Sequence, residues 1–159
     1  MKQLQTFLLI FCLTFLGYMA YHNRHDVVSF FFGELKEIIQ VGGVKLFVHV
    51  ADTPEERMQG LSGTPSLGEF EALIFVFDDL DRHGIWMKDM NYPIDIIWVS
   101  DGLQVIHIEH DVSPDTYPKS FRPAGPARYV IETSAGLTKN ANIQVGDVVI
   151  LPDDILYGE

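Results

Sequence analysis

The pattern of apolar and polar residues predicts a chain built mainly from β-strands. Residues 94–99 are apolar on both faces of an extended segment except for one carboxylate, Asp95, so we expect a strand that is buried on both sides. A carboxylate in such a strand must be paired or carry a shifted pKa, because an unpaired buried charge is strongly unfavourable. Asp95 is therefore expected to be either a structural clamp or part of a functional site.

Turn residues mark the ends of the other predicted strands. The Gly-Gly pair at 42–43 predicts a tight turn that joins strands at 38–41 and 44–50. Further strands are expected at the following segments: 72–77, 105–110, 128–133 and 147–151. The charged segment 78–84 is expected to be a loop, and so is 111–126, which contains four prolines.

Two short helices complete the predicted elements. Thr53, Pro54 and Glu56 have the spacing of a capping box with proline in the first turn, which predicts a helix of at most two turns that stops at Gly60. One helical turn is expected within 135–140. The predicted fold class is all-β, a compact sandwich or small barrel of about seven or eight strands with one or two short helices.

The amino-terminal segment differs from the rest of the chain. Residues 7–21 are apolar apart from Thr14, a run that is short for a membrane-spanning helix but typical of a signal sequence. Cleavage after Ala20 would put Tyr18 where a small residue is needed. We therefore interpret residues 1–25 as an uncleaved signal anchor in an apolar helix, with a cleaved signal peptide as the alternative.

This interpretation predicts one domain outside the cytoplasm. Residues 26–37 would be a juxtamembrane linker and residues 38–159 a single β-rich domain, tethered to the inner or cytoplasmic membrane by the amino-terminal helix. If the signal is cleaved, the protein is instead secreted or periplasmic. The only cysteine, Cys12, lies in the apolar run, so the predicted domain has no disulfide and no cysteine-based metal site.

The charge of the chain narrows the choice of partners. The formal net charge is −11, and residues 26–159 contain 9 basic and 22 acidic residues. A surface this acidic repels phosphate backbones, so we predict no nucleic-acid partner. A cationic ligand or a basic envelope protein fits better, although the charge can also serve solubility alone.

Residues 86–97, Trp-Met-Lys-Asp-Met-Asn-Tyr-Pro-Ile-Asp-Ile-Ile, resemble the signature of the domain of unknown function 192 family. Further similar motifs follow the family's order: 51–57, 60–61, 75–77, 129–132, 135–136 and 146–147. The chain departs from the family at 62–64, where Ser-Gly-Thr stands in place of a usual Met and Arg, and at 71–72, where Glu-Ala replaces a Gly-Met pair. The resemblance covers roughly residues 44–150. It implies a compact β-rich domain, often secreted or membrane-tethered in bacteria, without an established activity.

Three groups of residues could carry chemistry. Lys88, Asp95 and Glu132 are candidate catalytic residues, since two carboxylates and an ammonium in one pocket suit general acid/base chemistry. The alternative is that Lys88 or Arg128 neutralises a buried carboxylate and fixes the strand register.

The second group is aromatic. We predict a ligand-binding pocket formed by Trp86, Lys88, Asp95 and Tyr117, because exposed aromatic rings beside polar groups stack on sugar rings. Trp98 is expected to belong to the core instead. The two aromatic pocket residues belong to a larger set of aromatic residues in this part of the chain: Trp86, Tyr92, Trp98, Tyr117, Phe121 and Tyr129.

The third group is a weak candidate metal site. His107 and Glu109 share a strand face, and His83 or His49 would have to supply a third ligand from elsewhere in the chain. A solvated polar face is the alternative, so we predict no metal and no other cofactor. The chain also lacks a glycine-rich phosphate loop and the usual hydrolase motifs.

These observations favour an extracytoplasmic, membrane-tethered domain that binds a small ligand such as a carbohydrate or a cell-envelope fragment. One alternative is an acid/base enzyme of the cell envelope that uses Asp95 and Glu132. The other is an acidic module that binds a basic envelope protein.

Overall fold

The computed structural model describes residues 37–157, which form one curled β-sheet, a small ribbon and short helices. The strands are β1 (Glu37–Val41), β2 (Val44–Ala51), β3 (Glu71–Asp81), β4 (Ile85–Trp86), β5 (Ile94–Val99), β6 (Val105–Val112), β7 (Ser120–Phe121), β8 (Ala127–Ser134) and β9 (Val149–Ile150). The helices are α1 (Pro54–Gln59), α2 (Leu137–Asn140) and α3 (Asp153–Tyr157), with one 3-10 helix at Pro114–Thr116. The structure is thus mostly β, as predicted.

The anchor expected at 1–25 and nearly all of the linker lie outside the described residues. Within residues 37–157, none of the helices has the length and apolar character required to cross a membrane.

Seven strands form the main sheet, in the order β6-β5-β8-β3-β2-β1-β9, while β4 and β7 pair only with each other. All neighbours in the sheet are antiparallel except β2 and β3, which are parallel and are connected through α1. The predicted glycine turn joins β1 and β2, which confirms that prediction. Strands β5 and β6 also pair as an antiparallel hairpin, connected by residues 100–104.

The segment around β9 links the two edges of the sheet. On one side the Val105 N–H donates to the Asp147 carbonyl at 2.9 Å, which ties the segment to the start of β6. On the other side the Gly42 N–H donates to the Val148 carbonyl at 3.1 Å, and β9 pairs with β1. Since the two edges are bridged in this way, the sheet curls as a barrel does and encloses a core.

Strand β5 is buried along its whole length, as the sequence predicts. Ile97 and Val99 lie in the main core together with side chains of β1, β2, β3 and β8. Trp98 lies on the opposite face, is fully buried, and donates its indole N–H to the His83 carbonyl at 2.8 Å. The loop that carries His83 therefore covers this second face, and Trp98 is a core residue as expected.

Two segments expected to be loops contain strands. Strand β3 continues to Asp81 because Asp81 pairs with Ala127 across a bulge and the Arg128 guanidinium donates to the Phe77 and Asp78 carbonyls. The proline-rich segment holds both the 3-10 helix and β7. In both places pairing with a distant segment sets the conformation, which local polarity and proline content do not reveal.

The first helix matches its prediction closely. The Thr53 hydroxyl accepts from the Glu56 N–H at 3.2 Å, and the Glu56 carboxylate accepts from the Thr53 N–H at 3.1 Å. This reciprocal capping box satisfies two backbone donors at the start of α1, and the helix stops at Gly60.

Candidate functional site

The β4–β7 ribbon positions the most prominent exposed aromatic residue of the domain. Ile85 of β4 pairs with Phe121 of β7, and both side chains are buried. Because side chains alternate along a strand, the next residue, Trp86, faces outward and is 49% exposed. The buried pair therefore anchors the ribbon while the indole ring lies at the surface.

Tyr117 lies beside Trp86 and is 47% exposed. The two ring centroids are 6.0 Å apart and the rings meet at 64°, an edge-to-face arrangement. Tyr117 follows the 3-10 helix, where its N–H donates to the Pro114 carbonyl at 3.2 Å. We call Trp86 and Tyr117, together with Lys88, the aromatic platform.

Lys88 contributes a positive charge to the platform, because its ammonium nitrogen is 6.0 Å from the Trp86 ring centroid. Its backbone is held separately, since the Lys88 carbonyl accepts from the Ser62 hydroxyl at 2.8 Å. The three predicted pocket residues Trp86, Lys88 and Tyr117 are thus together at the surface. Exposed rings with a nearby ammonium can stack on a ligand and bind its polar groups.

Two arginines join the chain segments that carry the platform. The Arg82 side chain donates to the Pro123 carbonyl at 2.7 Å, and the Arg122 side chain donates to the Arg82 carbonyl at 2.7 Å. A second lysine, Lys119, extends over the Phe121 ring at 4.1 Å. The sequence did not point to Lys119, since it lies in the proline-rich segment that was expected to be a loop.

Asp95, the fourth predicted pocket residue, is not at the platform. It is fully buried on the core face of β5 and accepts four hydrogen bonds. One oxygen accepts from the Asp111 and Gly136 N–H groups, and the other accepts from the Thr138 N–H and hydroxyl. Both oxygens therefore fix β5 to the end of β6 and to the start of α2.

Glu132 lies on the other face of the sheet from Asp95. Strand register pairs Glu132 with Ile96 and Asp95 with Thr133, and paired residues in adjacent strands share a face. The three candidate catalytic residues are therefore separated. Asp95 lies in the main core, Glu132 is buried on the opposite face of the sheet, and Lys88 is at the surface. The arrangement does not bring them into one pocket.

The environment of Glu132 is unusual for a carboxylate. The side chain is buried, and among residues 37–157 one of its oxygens, Oε2, has no hydrogen-bond partner. Burial raises the pKa of Glu132 to about 8, so the neutral acid is the main form at neutral pH. Burial also raises the pKa of the nearby Tyr92 to about 12, against the effect of a 2.6 Å hydrogen bond with the Thr64 hydroxyl.

The weak metal candidates His107 and Glu109 form a pair, with 3.2 Å between Nε2 and Oε1. His83 instead stacks on Phe77 at 3.5 Å, and His49 is buried on β2. In the part of the chain that the structure describes, no group of three or more His, Cys, Asp and Glu side chains could hold a metal ion. The pair alone provides too few ligands for a stable site.

Comparison with known proteins gives the family of the chain. The model of the domain of unknown function 192 family, described as an uncharacterized ACR, matches residues 37–151. Two proteins named UPF0127 are similar over 104 residues: one from Thermococcus sibiricus at 31% identity and one from Thermococcus gammatolerans at 32%. Each alignment covers 64% of this chain and 64% of the relative, so the chain spans somewhat less than two thirds of their length.

Solved structures agree in fold. A protein of unknown function from Novosphingobium aromaticivorans has a TM-score of 0.67 and 29% identity, covering 70% of this chain and 82% of that one. A protein from Sinorhizobium meliloti, described as a candidate transcription regulator, has a TM-score of 0.67 and covers 72% and 90%. Its identity is 22%, so this likeness shows the fold alone. Because the family model matches most of the chain, the chain belongs to the domain of unknown function 192 family.

Proposed function

We propose that this protein is a ligand-binding domain that holds a carbohydrate or a cell-envelope fragment on the aromatic platform. The observation that carries the proposal is the exposed pair of large rings, Trp86 and Tyr117, kept in edge-to-face contact beside an ammonium group. Adjacent exposed rings form the kind of apolar patch that marks a binding site, and sugar rings have apolar faces that stack on aromatic residues. Trp86 is fixed on an anchored ribbon with Tyr117 held against it, which reduces the entropy lost on binding.

Binding is favoured over acid/base catalysis by the surroundings of the two carboxylates. Asp95 uses both oxygens in hydrogen bonds to the fold, so it has little capacity left to accept a proton from a substrate. Glu132 lies on the other side of the sheet. An acid and a base that act on one substrate need to reach it from the same pocket.

We further propose that residues 1–25 tether this domain to the inner membrane, on the outer side. The support is the apolar run at 7–21 and the absence of a small residue at position 18. The full chain is then expected to stay with the membrane pellet after alkaline carbonate extraction and to keep its first residues. Release into the soluble fraction with a new amino terminus would contradict the anchor and support signal cleavage.

Ligand-induced stabilisation tests the platform. The melting temperature of the protein is measured with a panel of neutral and acidic oligosaccharides and peptidoglycan fragments. A ligand at 100 times its dissociation constant is expected to stabilise the fold by about 2.7 kcal/mol, or several degrees. Trp86→Ala and Tyr117→Ala should each abolish most of this shift, because each removes a stacking surface.

Phe47→Ala is the matched control, since Phe47 is 46% exposed but lies on β2, away from the ribbon. It should retain the full shift. A shift that survives both platform substitutions would place the ligand elsewhere. No shift with any compound would contradict the proposal and favour the alternative of an acidic module for a basic envelope protein.

A further inference from the structure

Positive charge is concentrated at the ribbon of an otherwise acidic domain. The connections that contain the ribbon strands, residues 82–93 and 113–126, carry four basic and two acidic residues. The remainder of residues 37–157 carries four basic and seventeen acidic residues. The local excess of cations is therefore opposite in sign to the charge of the rest of the domain.

The cations of these two connections are also less neutralised than the others. In the remainder of the described chain, three of the four basic side chains form salt bridges with carboxylates: Arg57 with Asp78, Arg128 with Asp101, and Lys139 with Asp111. Among residues 37–157, no salt bridge involves Arg82, Lys88, Lys119 or Arg122. Their contacts are aromatic rings and backbone carbonyls.

We propose that the aromatic platform selects an anionic carbohydrate, one whose ring stacks on Trp86 and Tyr117 and whose acidic group is bound by Lys88. This inference rests on the proposed function. The two arginines are committed to backbone carbonyls, so they contribute mainly a local positive potential. Lys119 lies over the Phe121 ring and adds to the same potential. Lys88 is exposed and keeps its ammonium group available for an acidic group on a ligand.

The test compares one sugar with and without its charge. Tetragalacturonic acid and its fully methyl-esterified form have the same rings, so they differ mainly in the carboxylates. Dissociation constants are measured by calorimetry on the full chain in detergent. The acid is expected to bind about tenfold more tightly or better, the effect of one charge-assisted contact.

Lysine variants locate the preference. Lys88→Met should bring the acid to within about twofold of the ester, because the charged contact that only the acid makes is lost. Lys45→Met, on β2, is the matched control and should keep the full preference. Inorganic phosphate is included as a competitor that has charge but no ring.

The outcomes separate this inference from the proposed function. Equal affinity for acid and ester, with both lost in Trp86→Ala, would overturn the charge inference and leave the sugar site standing. A preference that Lys88→Met retains would place anion binding away from the platform and overturn the inference. Full displacement by phosphate that Trp86→Ala does not affect would overturn it in the same way. If neither form binds, the charge inference is overturned, whereas the proposed function fails only if the neutral oligosaccharides of the melting panel also fail to bind.

Discussion

Replacing Glu132 with glutamine is expected to stabilise the protein strongly at about pH 8 and to change its stability little near pH 4. Burial raises the pKa of Glu132 from 4.5 to about 8. Between these values the folded protein keeps the proton while the unfolded chain releases it, so the free energy of unfolding falls as pH rises. The loss is about 1.4 kcal/mol per pH unit at most, and on the order of 5 kcal/mol in total above about pH 8.

Glutamine has nearly the same shape and stays neutral, so the variant should lack this loss. The measurement is urea denaturation at several pH values between about 4 and 9, followed by tryptophan fluorescence. Glu55→Gln, which removes an exposed carboxylate in α1, controls for the loss of one negative charge. If the free energy of unfolding changes with pH in the same way in wild type and in Glu132→Gln, Glu132 is not a buried neutral acid.

Asp95→Asn is expected to destabilise the fold by about 3 to 5 kcal/mol. The amide has one oxygen in place of two, so at least one of the N–H donors that Asp95 now satisfies would face an NH₂ group. Those donors belong to Asp111, Gly136 and Thr138, and the aspartate is fully buried, so water cannot replace the missing acceptor. The loss is measured as a lower urea midpoint with an unchanged slope.

Asp101→Asn provides the comparison, because Asp101 is mostly exposed and forms an ion pair with Arg128. It should cost less than about 1 kcal/mol. This pair of variants also distinguishes the two interpretations of Asp95. If Asp95→Asn keeps wild-type stability, Asp95 is not a structural clamp and is again a candidate catalytic residue.

The sequence predicted the elements that depend on local or periodic signals. Strand β5 was predicted because two apolar faces alternate along it, and α1 because Thr53 and Glu56 satisfy the first backbone donors locally. Elements that depend on distant pairing were missed. The bulged end of β3 requires Ala127 and Arg128, and the parallel pairing of β2 with β3 is not visible in either strand alone. The helix α3 (Asp153–Tyr157) was not predicted at all.

The candidate site was also predicted only in part, because some of its contacts depend on residues that are distant in the sequence. The aromatic character of Trp86 and Tyr117 pointed to a surface role, and the structure brings both rings together with Lys88. The partners of Asp95 were not foreseen, since they are backbone groups and Thr138 rather than Lys88 or Arg128. A carboxylate in an apolar strand must be paired or carry a shifted pKa, but the sequence does not say which, or whether a partner is a cation or a set of N–H groups.

Acrylamide quenching of tryptophan fluorescence tests the binding platform most directly. The chain has two tryptophans, of which Trp86 is about half exposed and Trp98 is fully buried, so acrylamide should reach Trp86 alone. A sugar that raises the melting temperature should protect Trp86 and reduce the quenching to the level of the buried tryptophan. Unchanged quenching at sugar concentrations that saturate the melting shift would contradict the platform as the binding site.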